Sequence, residues 1–439
     1  MKLKNLLIAS AGLFLFGACS NGGDDEPAMQ SFEANLSISA VPSNGTTTKA
    51  DEVTTDNGTA NEQIVHSLTA YVFNSSDAFV TTKTVTSETG SVDSIPNIIV
   101  KVNATSEGAV STDAFKVFLI ANATLKSIPS TVADLKTALI DKDITSCTVA
   151  GVAAKTQYIP MFSAVVSNVT GLVAGKTYNN WVEVGSSTVQ STLQNGTFVG
   201  EMKVTKGGTT VTSTTEAYTM ASAAKIALSR YVARVELESI KTAFTENYSN
   251  AQFILDKVSM ANVSSTSYAY SDADISTFPL MVAAPTYYRG FPETIVRADY
   301  YLADGTCAAS IFSKAYTETL ANNSTTNLTD LTEGIPQFYA FEHSNTAITG
   351  STNKAYTMLI ITGRIVNNGI TSTERSFRIP IKESGANEGV KHNYIYKVNV
   401  TLTGEGTDNP DKNMLNAYLS VKITVAPWTV VNQVENDVN

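Results

Sequence analysis

Cys19 is the residue with the most chemistry open to it, because of what precedes it. Lys2 and Lys4 form a positive n-region, Leu6 to Phe16 an apolar run of about a dozen residues, and Gly17-Ala18 the small pair that a signal peptidase needs before its cut. Cleavage there leaves Cys19 as a new N-terminus whose thiol can carry lipid. The apolar run is shorter than the ~20 residues that span a bilayer, and Ser20-Asn21-Gly22-Gly23-Asp24-Asp25-Glu26 follows at once, so no spanning helix is expected. The alternative is an ordinary cleaved signal in which Cys19 carries nothing. Phe16, three places before the cysteine, is a looser fit than the usual aliphatic residue.

The other reactive side chains do not fall into the spacing of a catalytic or metal centre. His66, His343 and His392 are the only histidines, and HExxH, GxSxG and phosphate-loop patterns are absent. Gly404-x-Gly406 leads into Asp408-Asn409-Pro410 and not into a helix, which rejects a dinucleotide site. Asp272-x-Asp274 lacks the glycine and distal glutamate of a calcium loop and reads as a solvated turn. Asp24-Asp25 and Asp51-Glu52 sit in polar tracts that could not hold a general acid and base in place. His343, after Glu342 at a strand end, reads as a satisfied surface histidine. Cys147 and Cys307 read as buried free thiols in different domains, with a disulfide between them as the alternative. Asp93-Ser94-Ile95 resembles the short O-glycosylation signal that some bacteria use on lipoproteins. No metal, cofactor or enzymatic activity is expected.

These residues are carried by 439 in all, 43% hydrophobic and only 16% charged, and Thr, Ser, Asn, Val and Ala are plentiful. That composition suits a folded, β-rich, secreted protein of two or three domains. The formal charge of −10 and pI near 4.9 repel nucleic acid and anionic membrane surfaces.

The elements follow from periodicity. Residues 20–31 form an acidic, polar tether. Leu36, Ile38 and Ala40 alternate with Asn35, Ser37 and Ser39, so a strand with one buried face is expected over Leu36 to Val41. Pro42-Ser43-Asn44-Gly45 ends it, and the tract Thr46 to Glu52 then exposes Lys49 to a protease. Further strands are expected at Ser67 to Phe73, Ile98 to Val102, Phe115 to Ala121 and Tyr178 to Val184. One helix is expected where Ser130-Thr131 caps Val132 to Ile140, with Val132, Leu135 and Leu139 on one face. A domain boundary is placed near 222, with fresh strands from Lys225. Those strands are Tyr231 to Leu237, Phe253 to Met260, Gln337 to Phe341, Met358 to Ile365, Ser376 to Ile381 and Tyr394 to Leu402. Within Tyr231 to Leu237, Arg234 and Glu236 share a face that is solvated or ion-paired.

The last run has the clearest pattern. Leu419, Val421, Ile423 and Val425 lie on one face, opposite Tyr418, Ser420, Lys422 and Thr424, and Pro427-Trp428-Thr429-Val430-Val431 follows. Four such side chains offer about 6–12 kcal/mol on burial before ordering costs, so the strand needs a groove. Periodicity leaves open whose groove it is.

In order and spacing, these segments resemble the fimbrillins, the FimA-type major fimbrial subunits or type V pilins. The resemblance rests on the signal ending at Cys19, Tyr71-Val72-Phe73, Val117 to Ala123, Ile159-Pro160-Met161-Phe162-Ser163 and Arg230-Tyr231-Val232-Ala233-Arg234. It continues through Phe338-Tyr339-Ala340-Phe341-Glu342, Lys391 to Val398 and Val425-Ala426-Pro427-Trp428-Thr429-Val430-Val431. It implies an all-β chain of two transthyretin-like β-sandwich domains with few short helices. The parts are a signal peptide (1–19), a propeptide with the first strand (20–49), an N-terminal domain (50–222) and a C-terminal domain (223–439) ending in a donor strand (417–434).

It also implies an outer-membrane lipoprotein precursor that a protease cuts before assembly into a surface fimbrium. Loss of the first strand opens a groove that another copy's donor residues Leu419, Val421, Ile423, Val425, Trp428 and Val430 fill, giving a homopolymer with tip and anchor partners. Family members are commonly cut after arginine, yet the first arginine here is Arg230. Lys49 is the only basic residue in the tract, so a trypsin-like or lysine-tolerant protease and a mature start at Ala50 are expected. Cutting there removes three basic and four acidic residues and leaves 27 and 36, a formal charge of −9. Two other readings stand beside the stalk subunit. One is a tip or anchor subunit of the same fimbrium. The other is a monomeric glycan-binding lipoprotein using Tyr287-Tyr288 and Tyr300-Tyr301, residues that also suit a strand or core.

Overall fold

The structure is a computed structural model that describes residues 28–42, 56–57, 60–87, 90–147, 158–182, 189–194, 197–198, 202–206, 209–213, 225–269, 286–292, 305–344, 346–347, 354–382, 389–408 and 419–429. Strand dominates it, at 58% against 7% helix, and the chain is all-β, built as β-sandwiches.

The first strand, Gln30–Pro42, organises the N-terminal sandwich. It runs antiparallel to Ser94–Ala104 and parallel to Gly175–Val182, in a sheet that continues through Val189–Gln194, Met202–Lys206 and Thr209–Ser213. Its final residues, Ala40 to Pro42, pass to the facing sheet and pair in parallel with Ile226–Arg230. That second sheet proceeds through Met161–Ser163, Phe115–Ala121, Ser67–Asn74 and Phe79–Thr86. Ala34, Leu36, Ile38 and Ala40 point between the sheets, against residues such as Val72, Val100 and Leu119.

Ser67–Asn74 and Phe115–Ala121 alternate between two apolar environments. Leu68, Ala70, Val72, Val117 and Leu119 enter the first core, while Tyr71, Phe73, Phe118 and Ile120 on the opposite faces join a second cluster that extends into the C-terminal half. Burial on both faces explains why these strands read as nearly continuous apolar runs.

Ile226–Arg230 still pairs with the first sandwich, so the ladders run on past the boundary near 222 and the chain crosses over at Tyr231. Val232–Thr242 then lies between Tyr394–Leu402 and the pair Gln337–Phe341 and Thr325–Asn327, with Leu419–Thr429 outside Tyr394–Leu402. The facing sheet is Ser313–Leu320, Gln252–Ala261 and Met358–Asn367, the last also paired with Arg375–Pro380. Gly406 has φ +65°, and a Cβ there would lie 2.8 Å from the Phe377 ring. Packing and backbone conformation account for this glycine without a nucleotide.

The expected helix over 132–140 shrinks to one 3₁₀ turn, Ala133–Lys136. Its start is as expected: Thr131 Oγ1 accepts from the Asp134 N–H, and the Asp134 carboxylate accepts from the Thr131 and Ser130 N–H groups. Ala138 still donates to the Asp134 carbonyl, and beyond it the backbone finds other partners. Leu139 accepts from Lys126, Asp141 donates to Thr124, and Leu125 bridges Ile140, so tertiary pairing outcompetes helix propagation.

Candidate functional site

The three histidines occupy separate structural niches. His66 Nδ1 lies 3.2 Å from the Ser87 carbonyl, with its ring stacked on Tyr158. His392 pairs with Glu342 and packs edge-on to Phe162. His343 is not on the surface as expected. It is buried, its Nδ1 lies 3.0 Å from Thr357 Oγ1, Tyr287 packs against its ring, and burial lowers its pKa to about 4. The short ladder of His343–Ser344 with Gly389–Val390 draws it inward. Cys147 is buried, and burial pushes its thiol up to about 12. Cys307 departs from expectation and is exposed, and both cysteines are free. Among the described residues no group of His, Cys, Asp and Glu could hold a metal ion. Tyr287 is buried, and Tyr288 donates to Asp143 Oδ2 at 3.0 Å, so both serve the fold. Asp272, Asp274, Tyr300 and Tyr301 lie outside the described residues.

The feature with functional geometry is the seat of the first strand. Leu36 and Ile38 are wholly buried, as the alternation predicts. The opposite, polar face is buried as well, which the alternation did not suggest. There Asn35 Nδ2 donates to the Lys176 carbonyl at 2.7 Å, Ser37 Oγ accepts from the Asn97 N–H at 3.2 Å, and Ser39 Oγ donates to the Asp93 carbonyl at 2.9 Å. The strand therefore fills a slot that is apolar on one wall and lined with hydrogen-bonding groups on the other. Taking it out leaves two ladder edges and an apolar trough exposed.

The terminal strand, Leu419–Thr429, is placed quite differently. It pairs antiparallel with Tyr394–Leu402 from Leu402↔Leu419 to Tyr394↔Pro427. On its other side, among the described residues, only Asp56–Asn57 meets it, in parallel at Trp428 and Thr429. Leu419 and Ile423 pack partly buried against the core, whereas Val421, between them on the same face, is 37% exposed. Val425 and Trp428 take part in the backbone ladder. Cys19, Lys49, Ala50 and Val430 lie outside the described residues.

A site that sequence did not reveal lies where the sandwiches meet. Arg230 and Arg234 are buried around Glu62, with Arg234 Nη1 at 2.7 Å from Glu62 Oε2 and Arg230 Nε donating to the Glu62 carbonyl at 3.4 Å. Tyr339 donates to Glu62 Oε1 at 2.5 Å, and Glu236 Oε1 lies 2.5 Å from Arg234 Nε. The shared face of Arg234 and Glu236 is thus ion-paired and dry. Burial pulls Arg230 down to about 10, and burial beside Glu62 raises Tyr339. Glu62 carries no sequence signal, since Arg230 and Arg234 lie 168 and 172 residues away in the chain.

Residues 34–230 match the family described as Major fimbrial subunit protein (FimA). This stretch belongs to that family. The FimA segment begins inside the first strand and ends at Arg230, the last residue of the strand that closes the first sandwich. Beyond it, the FimA fold extends over most of the chain. A fimbrilin (FimA) from Porphyromonas gingivalis W83 shares 16% identity at a TM-score of 0.54, with 92% of this chain and 99% of that chain covered. A candidate cell adhesion protein from Parabacteroides distasonis ATCC 8503 shares 20% identity at 0.57, covering 92% and 100%. One from Bacteroides eggerthii DSM 20697 shares 16% at 0.50, covering 93% and 99%. At such identities the likeness establishes a common fold. No curated protein matches the chain.

Proposed function

We propose that this protein is a non-enzymatic stalk subunit of a surface fimbrium that supports adhesion, exported as a lipoprotein on Cys19 and assembled by strand exchange. In this reading a trypsin-like or lysine-tolerant protease cuts after Lys49, and residues 20–49 leave with the lipid and the first strand. The N-terminal domain (50–222) is then an acceptor, and the C-terminal domain (223–439) offers its final strand, 417–434, to the next molecule. Each copy both gives and receives, and a head-to-tail contact of that kind does not close on itself, so it grows a filament.

The observation that carries the reading is the contrast between the two terminal strands. Ala34 to Ala40 of the first are buried in a slot, while the last rests at a sheet edge with Val421 37% exposed. Family membership of residues 34–230 supports a fimbrial role, and the likeness to fimbrilin and cell adhesion folds is consistent with it. Partners at the tip and base, and an outer-membrane stage, follow from the same reading. N-terminal sequencing of assembled material tests it: the expected first residue is Ala50, and fibres that begin at Cys19 would refute maturation by cleavage.

A further inference from the structure

The walls of the first-strand slot specify more than apolarity. Ile98 pairs with Leu36 but Ile95 with Ile38, so Pro96-Asn97 form a bulge, with Asn97 at φ 56°. The Asn97 N–H is satisfied by the hydroxyl of Ser37, a residue with 0% exposure. An occupant therefore needs a small hydroxyl side chain at this place. Ala40 donates its N–H to the Asp93 carbonyl at 2.9 Å, which excludes proline there. Ser39 stands opposite Ser94 and beside Asp93, whose carboxylate is 66% exposed and 3.0 Å from Lys225 Nζ. The field next to Ser39 therefore has an acidic component.

Now let the terminal sequence slide through the slot in the direction of the first strand, in steps of two that keep Leu419, Val421 and Ile423 facing inward. Tyr418 in the place of Ser37 puts a phenol ring where no surface is exposed. Lys422 there buries an ammonium and offers the Asn97 N–H no acceptor. Thr424 there supplies a hydroxyl, but Pro427 then falls on Ala40 and has no N–H for Asp93. Ser420 meets the requirements set by the Asn97 N–H and the Asp93 carbonyl. It brings Ala417 onto Ala34, Leu419 onto Leu36 and Val421 onto Ile38, and it sets Lys422 beside the Asp93 carboxylate. Tyr418 replaces Asn35, which is buried and bonded to the Lys176 carbonyl, so its ring has to leave the slot past the exposed side chains of Lys176 and Glu33. Ile423, larger than Ala40, comes where the neighbouring Val41 and Pro42 are already partly exposed.

We infer that a second copy of this chain inserts residues 417–425 with Ser420 in the place of Ser37 and Lys422 against Asp93, so that the bulge at Asn97 sets the register of assembly. The inference rests on the strand-exchange reading and is separable from it by cross-linking. In a Cys307→Ser background, fibres are formed from Lys422→Cys/Ser94→Cys and from Tyr418→Cys/Ile99→Cys subunits. Facing residues of an antiparallel pair stand about 4.5–5.5 Å apart at Cα, within disulfide range. In the single molecule Lys422 faces Asn399, so a link to Ser94→Cys can form only between molecules.

Both pairs are expected to give ladders of covalent oligomers on oxidation. Linking of Thr424→Cys/Ser94→Cys in their stead would overturn the register while leaving exchange intact, and fibres without intermolecular links from any pair would overturn exchange at this slot. Unmodified fibres give a second measurement that does not depend on the variants folding. Carbodiimide coupling is expected to join Lys422 to Asp93 of the neighbouring molecule, with the Lys225–Asp93 link as internal control. Recovery of the control link alone overturns the register.

Discussion

Glu62 brings together side chains that the chain order keeps far apart. Arg230, Arg234 and Tyr339 converge on it in a dry junction, and Gln337 Nε2 donates to Glu236 Oε1 at 3.1 Å on the same network. Removing one member of a buried ionic group costs more than the pair contributes, because the remaining charge stays desolvated. Glu62→Gln is expected to lower stability by about 3–5 kcal/mol in denaturant unfolding, against about 1 kcal/mol for Tyr339→Phe, which removes one hydrogen bond. His343 makes a different, pH-linked contribution. Its folded pKa of about 4 lies below the ordinary histidine value, so between roughly pH 6.5 and 4 the unfolded chain binds the extra proton. Stability is therefore expected to fall as pH drops through that window and to level off below it. A His343→Gln variant is expected to show a shallower slope there in paired urea titrations.

At the scale of elements, the first and last strands carry similar apolar alternation but occupy opposite environments. Leu36→Ala in the uncut precursor is expected to cost about 2–5 kcal/mol, as for a large side chain lost from a packed core. Val421→Asp is expected to cost only about 1 kcal/mol of monomer stability, because the side chain is 37% exposed at a sheet edge, while abolishing fibres seen by electron microscopy. Equal losses of monomer stability from both substitutions would contradict the environments described. The terminal strand is met on its outer side by Asp56–Asn57, in parallel at Trp428 and Thr429. The helix lost after Thr137 illustrates the opposite limit of local patterning. Three apolar residues at helical spacing could not hold that segment once Leu125 and Lys126 offered a ladder.

For the whole molecule, the two sandwiches share one apolar cluster. Phe162 of the first and Tyr231 at the crossover have ring centroids 4.4 Å apart, and Tyr231 is fully packed between the halves. Such a joint couples the two sandwiches through shared packing, as the proposed stalk role would need. Deleting residues 417–439 removes an edge strand and leaves the joint in place. Exported, folded monomers without polymers are expected on native gels, and fibres of unchanged length would refute the donor assignment. The formal charge of −9 for residues 50–439 means that assembled material should stay soluble at neutral pH and aggregate as pH approaches the acidic range.

Much of this was legible in the chain before it folded. Strand positions such as Phe115–Ala121, Gln337–Phe341 and Tyr394–Leu402 follow from β-branched and aromatic content and period-2 alternation, because side-chain direction in a strand is a local property. So does the inward set Leu36, Ile38 and Ala40. What sequence could not contain is which surfaces meet. Burial of Asn35, Ser37 and Ser39 depends on partners up to 145 residues away, Glu62 reaches Arg234 across 172, and the seat of the terminal strand is decided by Tyr394–Leu402. Local alternation sets the faces of a strand, and only long-range packing decides whether a face is enclosed in a slot or left at an edge.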